Sequence, residues 1–284
     1  MNIIIGLIVV LAACAVGFVL SGGHLMALFQ PFELLIIGGA ATGALIMSNS
    51  MSVNKGVISS FGKMIKGSPY TKELYLELLA MLYGIFNVIR REGLLGIEKH
   101  IEEPDESPLF SEYPAIRSIH GAEEFIVDYL RVMSLGGIAT HDLDALFEAE
   151  LESHHEESHL VPNALTKMAE GLPGFGIVAA VMGIVITMGH IGGPPAELGH
   201  HVGAALVGTF LGILLSYGVV GPMAAFQEQM AKEDAVFFNA IKVAMMASFS
   251  GSPPQVAIEF GRKVLFHEVR PSFVEVEERV RGKK

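Results

Sequence analysis

Residues 1–54 and 168–226 contain no lysine or arginine, and only three acids between them: Glu33, Glu170 and Glu197. An α-helix needs roughly 20 apolar residues to cross a ~30 Å hydrocarbon core. Each window holds two such stretches, Asn2–Leu20 and Phe32–Ser48 in the first, Gly171–Gly189 and Val202–Phe226 in the second. In lipid every backbone polar group must be satisfied internally, so runs of this kind become helices. The chain is 51% hydrophobic and 17% charged, against about 25% charged residues in an ordinary soluble domain. A cleaved signal peptide is the alternative for the first run. However, no basic residue precedes it and no A-x-A-like site follows it, so a retained helix is expected.

The connections 21–31 and 190–201 carry no lysine or arginine, and all 19 basic residues fall within Lys55–Lys167 and Lys232–Lys284. Lys55, Lys63, Lys66 and Lys167 lie close to span ends. Basic residues near spans stay on the cytoplasmic side, which places both termini and the long loop there. The single cysteine, Cys14, sits inside an apolar run, so no intramolecular disulfide forms. A net charge of −11 argues against nucleic-acid binding.

The expected organisation is therefore an all-α integral membrane protein in four parts. Transmembrane helices occupy 1–50 and 168–226. A cytoplasmic helical domain fills 51–167, with ten basic and nineteen acidic residues from Lys55 to Lys167, and cytoplasmic helices follow over 227–284. Leu74, Leu78, Leu79, Leu82, Ile85, Phe86 and Ile89 recur at helical spacing and predict an amphipathic helix in the loop. Two more follow in GAEEFIVDYLRVMSLGG and HDLDALFEAELESHHEESH, separated by Gly136-Gly137, and the acidic EEPDESP reads as a solvated turn. In the tail a helix through Val243 is expected, then a break at SGSPPQ, then a helix beginning at VAIEFGRKVLF. Gly39-x-x-x-Gly43, Gly199-x-x-x-Gly203 and Gly208-x-x-x-Gly212 have the spacing that lets membrane helices approach closely. This spacing fits a tightly packed monomer and an oligomer equally.

His155-Glu156-Glu157-Ser158-His159 reads as H-E-x-x-H, the helical pattern of a zinc protease. Three features weigh against that chemistry. The segment is His- and Glu-rich, so the pattern arises easily by chance. Glu157 occupies a position that is uncharged in a buried zinc helix. No recognisable third ligand follows, and a zinc site needs one. A polar helix leading toward the third span is expected instead, with no metal. His190, His200 and His201 read as solvated interface histidines.

No Asp, Lys or Arg lies inside a span, and the three acids fall near span ends. An ion carrier ordinarily places an ionisable group in mid-membrane, where it is costly and therefore telling. The third and fourth spans offer instead the hydroxyls of Thr187, Thr209 and Ser216, and the prolines Pro173 and Pro222. Hydroxyls line a hydrated path without titrating, and prolines near helix ends act as hinges. If an ion crosses, its titrating group belongs to another protein.

The segments QPFELLIIGGAATGALI, RREGLLGIEKHIEEPDESPLFSEYP, LPGFGIVAAVMGIV, PAELGHHVGAALVGTFLGILLSYGVVGP and VAIEFGRKVLF resemble the MotA family of flagellar-motor stator subunits, over nearly the whole chain. More distant likeness extends to TolQ and ExbB, which ordinarily have three spans. The resemblance implies a homopentamer around two single-span MotB-type chains, whose membrane aspartate carries the ion. It also implies torque exerted on the rotor protein FliG, in the bacterial inner membrane, with no enzyme activity and no cofactor beyond the transported ion. Arg90 and Glu98 fall on the family's rotor-contact charges, with Arg91 and Glu92 adding charge beside Arg90. Pro173 and Pro222 fall on the prolines that couple ion passage to movement, and Thr209 on the pore threonine, with Thr187 a second hydroxyl of the path. Ala180 falls where sodium-driven relatives carry threonine, which implies protons here. The alternatives are a TolQ/ExbB-type energiser and, from H-E-x-x-H, a membrane zinc protease.

Overall fold

The computed structural model describes residues 2–192 and 194–282. The side chains of Lys63, Glu197 and His200, weighed above, lie outside the described residues, as do those of Asn2 and Ala196. The α-helices in chain order are α1 (Asn2–Leu20), α2 (Pro31–Ser48), α3 (Met51–Lys66), α4 (Lys72–Glu92), α5 (Glu98–Glu102), α6 (Pro108–Ser111) and α7 (Pro114–Arg117). They continue with α8 (Ala122–Leu135), α9 (Thr140–Gly189), α10 (Pro195–Leu215), α11 (Gly221–Phe249), α12 (Pro254–Lys263) and α13 (Phe273–Arg281). Among the described residues there is no strand, and the expected all-α class holds. Four helical stretches are long and apolar enough to cross a membrane: Ile3–Leu20, Leu25–Ser48, Thr140–Gly189 and His201–Phe249.

The chain divides into two compact units. The first comprises Met1–Gly67 and Ser158–Met230, the second Ser68–Glu157 and Ala231–Lys284. In the first unit, α1 is apolar all round and leaves Ile4, Ile5, Ile8 and Val9 exposed, as a lipid-facing helix does. Pro31 opens α2, with Glu33 in its first turn, where an acid meets the positive helix end. Ile37 and Ala41 of α2 pack with Leu172, Ala179 and Leu211. Val53 and Val57 of α3 form a second cluster with Ala164, Leu165 and Ala224.

Two sequence expectations need correction in this unit. The HDLDALFEAELESHHEESH helix and the third span are one 50-residue helix that runs through Pro162 and Pro173. Pro173 is therefore deep inside a helix rather than near its end. The fourth span is helical throughout but not uniformly α. A five-residue π-helical segment, Ser216–Val220, joins α10 to α11. Pro222 has no N–H to give the carbonyl of Gly218, and the ladder widens just ahead of it, where Gly221 donates to the Ser216 carbonyl.

In the second unit, Thr71 caps α4 by accepting from the Leu74 N–H at 3.3 Å, and Gly93, at φ 76°, ends it. Leu74, Leu78, Leu79, Leu82, Ile85 and Phe86 are buried, with Ile89 packed against them, so the expected amphipathic face is the one that forms the core. Gly136, at φ 69°, ends α8. The tail helix continues past Val243 to Phe249, because Ala244 and Met245 are core residues. The break then comes at Gly251, at φ 89°, with Pro254 opening α12. Tyr129 stacks on Phe147, with centroids 3.4 Å apart and planes inclined by 10°. Lys242, buried beside this core, is paired with Asp144 at 3.0 Å and with Glu148, as a buried ammonium must be.

Candidate functional site

The helix pair α9 and α10 is held by glycine. A Cβ added at Gly176 would lie 3.0 Å from the Gly208 carbonyl oxygen and 3.1 Å from the Gly212 Cα. One added at Gly212 would lie 2.8 Å from both the Gly176 Cα and the Leu172 carbonyl oxygen. Gly183 meets Ala205 in the same way, at 3.0 Å from its Cβ. The Gly208-x-x-x-Gly212 spacing is therefore used inside the chain. Gly39, Gly43, Gly199 and Gly203 have nothing within 4 Å of an added Cβ.

Ala180 and Thr209 both lie at this contact, the Thr209 Cα 3.4 Å from an added Cβ on Gly176. A Cβ on Gly208 would lie 3.4 Å from the Ala180 nitrogen, and Thr209 follows Gly208 directly. The half-buried Thr209 hydroxyl makes no hydrogen bond among the described residues. Thr187 differs. It is buried at 6% exposure and donates to the Gly183 carbonyl at 2.8 Å within its own helix, so its proton is already committed. Glu33, read from the sequence as a residue near a span end, turns inward. Its Cγ lies 3.6 Å from an added Cβ on Gly208, and its Oε2 is buried without a hydrogen-bond partner.

The two prolines are linked by Ser216, which the sequence offered only as a hydroxyl able to line a path. Pro173 lacks the N–H that would serve the Ala169 carbonyl one turn earlier. The Ser216 hydroxyl donates to that carbonyl instead, at 2.6 Å, from a side chain that is 2% exposed.

Arg90 and Glu98 belong to the second unit. Arg90 lies in the last turn of α4, Glu98 begins α5, and both are exposed. Neither they nor Arg91 make an ion pair among the described residues, whereas Lys99 reaches Glu92 at 3.9 Å. Arg90 and Arg91 line an open cleft of about 410 Å³ with Asn87, Pro253 and Gln255. Two residues past Glu98, burial lowers the pKa of His100, and the neighbouring Lys99 charge lowers it further. Its Nδ1 lies 2.8 Å from the Ser107 hydroxyl.

His154 is bound to Asp234, which also accepts from the Tyr70 hydroxyl, a network that sequence spacing could not reveal. Burial, followed by the Asp234 charge, raises the Tyr70 pKa. Among the described residues no group of three His, Cys, Asp or Glu side chains is placed to hold a metal ion.

Residues 4–93 match the motility protein A N-terminal family, and residues 120–237 match the MotA/TolQ/ExbB proton channel family. Motility protein A of Salmonella typhimurium is 42% identical over 99% of this chain and 96% of its own length. Chemotaxis protein LafT of Vibrio parahaemolyticus is 38% identical over 96% of each chain. The chain belongs to the motility protein A family. A subunit of the flagellar MotAB stator complex from Bacillus subtilis has the same fold, with a TM-score of 0.73 at 25% identity over 99% of this chain and 98% of that one. Membership in this family, with four membrane-capable helices, makes the chain a multi-pass membrane protein.

Proposed function

We propose that the chain is a stator subunit of a bacterial flagellar motor that passes protons together with a MotB-type single-span partner. The observation that carries this reading is a helix pair closed by glycine, with a threonine hydroxyl unbonded among the described residues and no Asp, Lys or Arg in 2–48, 171–189 or 202–226. Such a surface can line half of a path, while the group that binds the ion comes from elsewhere. Solved relatives of the same fold are MotAB complexes, which supports a MotB-type donor of that group.

Thr209 and Ala180 then face the path, with Thr187 stiffening α9 beside it. Alanine at 180 offers no oxygen to a sodium ion, which supports protons. Pro173 and Pro222 convert ion passage into helix movement. Arg90 and Glu98 meet the rotor protein FliG, and five copies surround the partner, with both termini cytoplasmic in the inner membrane. The match of residues 4–93 to the motility protein A N-terminal family, together with four spans rather than three, favours this over a TolQ/ExbB-type energiser.

The magnitudes fit. One charge crossing 100 mV releases ~2.3 kcal/mol, which biases a two-state hinge by about fifty-fold. Exposed charge pairs worth ~0–1 kcal/mol let a rotor contact form and release at each step. Co-expression with a single-span MotB-type subunit in a motile but stator-less host tests the proposal. Swimming should appear only with both chains and persist without sodium. Motility from this chain alone, or motility that requires sodium, would contradict it.

A further inference from the structure

A proline inside a membrane helix leaves a carbonyl that needs a donor, since a buried carbonyl is nearly always paired. For Pro173 that carbonyl belongs to Ala169, and the donor comes from another helix: the Ser216 hydroxyl at 2.6 Å. Ser216 is also the first residue of the π-helical segment before Pro222, and its own carbonyl accepts the N–H of Gly221, five residues on. A Cβ on Gly221 would lie 2.9 Å from that oxygen, so glycine keeps the widened turn compact.

We infer that Ser216 joins the two prolines into one joint, its hydroxyl serving the gap left by Pro173 and its carbonyl opening the turn ahead of Pro222. The inference rests on the reading that both prolines couple ion passage to movement. A serine hydroxyl in a helix has a second acceptor, the carbonyl four residues earlier in its own helix, which here is that of Gly212. The joint therefore has two arrangements. In one the proton crosses to α9 and ties the helices at Ala169. In the other it folds back onto α10 and releases α9 at Pro173. Small rearrangements of this kind are amplified when the element is bistable. Ser216 is a positioning residue, not an ion ligand: it is sealed at 2% exposure and its proton is bound to backbone.

A double-mutant cycle on the complex with its single-span partner tests the joint. In Ser216→Ala the Ala169 carbonyl loses its donor. The complex should still assemble, melt a few degrees lower and turn the motor roughly two- to ten-fold slower, the factor one hydrogen bond carries. Ser216→Cys, a weaker donor, should fall between. In Pro173→Ala the new N–H at 173 serves Ala169, so adding Ser216→Ala should leave the melting point unchanged. An equal drop with and without Pro173, or full speed in Ser216→Ala, would overturn the inference. Full speed in Pro173→Ala would instead sink the assigned role of Pro173, while the melting cycle still decides whether the bond exists.

Discussion

Glu275 shows how much one exposed carboxylate can organise. It receives the Ser272 N–H at 2.6 Å, completing a capping box, while Lys72 reaches its other oxygen at 2.6 Å. Lys72 first, and then the Ser272 bonds, lower its pKa from 4.5 to about 2. The folded value lies below the unfolded one, so the stabilisation is fully present above pH 4.5 and disappears as pH falls through about 2. Hydrogen exchange should accordingly show α13 loosening across that window. Glu275→Gln should expose α13 already at neutral pH and abolish the acid-dependent step. At this scale the sequence distinguishes residue types but not where their hydrogen bonds go. Thr187 and Thr209 look alike as hydroxyls in apolar helices, yet one proton is spent on Gly183 and the other hydroxyl is unbonded among the described residues. Likewise Glu33 sits in the first turn by spacing, but only the packing of α2 on α10 turns its carboxyl inward.

Among the elements, the α9–α10 contact makes the sharpest demand. An alanine at 212 would bring its Cβ to 2.8 Å from two backbone atoms of α9. Backbone cannot yield as a side chain does, so Gly212→Ala should force the helices apart at a cost of ~1–3 kcal/mol. Gly39→Ala has open space in the chain. Thermal unfolding of the purified chain in detergent should therefore separate the two variants, with Gly212→Ala melting lower and Gly39→Ala unchanged. The x-x-x spacing revealed which glycines could serve in packing, but not which did so within one chain, because the same pattern suits contacts within and between subunits. The long apolar helices and α4 were legible from hydrophobic runs and periodicity, whereas α3, α6, α7 and α13, which carry no such run, were not read from the sequence. Boundaries were legible where glycine with positive φ stops a helix at Gly136 and Gly251, but the end of α4 at Gly93 was not. Prolines misled in both directions: Pro173 is bridged by a donor from outside its helix, and Pro222 is accommodated by a π segment rather than a break.

For the whole molecule, the proposed rotor contact requires charges that are unspent within the subunit itself. Most charged side chains of the second unit are committed: Arg117 to Asp105 and Glu123, Lys242 to Asp144 and Glu148, Arg262 to Glu259. Arg90 and Glu98 are exposed and make no such pair among the described residues. Reversing either charge removes no ion pair from the fold but puts the disfavoured sign at a helix end, so stability should change by no more than about 1 kcal/mol. Contact with the rotor is another matter. At the proposed rotor contact, reversing either charge turns an attraction into a like-charge repulsion that opposes engagement. Arg90→Glu and Glu98→Lys should therefore leave melting nearly unchanged and assembly with the single-span partner intact while abolishing swimming. Reversing a facing charge on the rotor protein should restore part of the speed. If these variants instead lose assembly in proportion to motility, the charges serve the stator complex itself and the rotor contact lies elsewhere on the subunit.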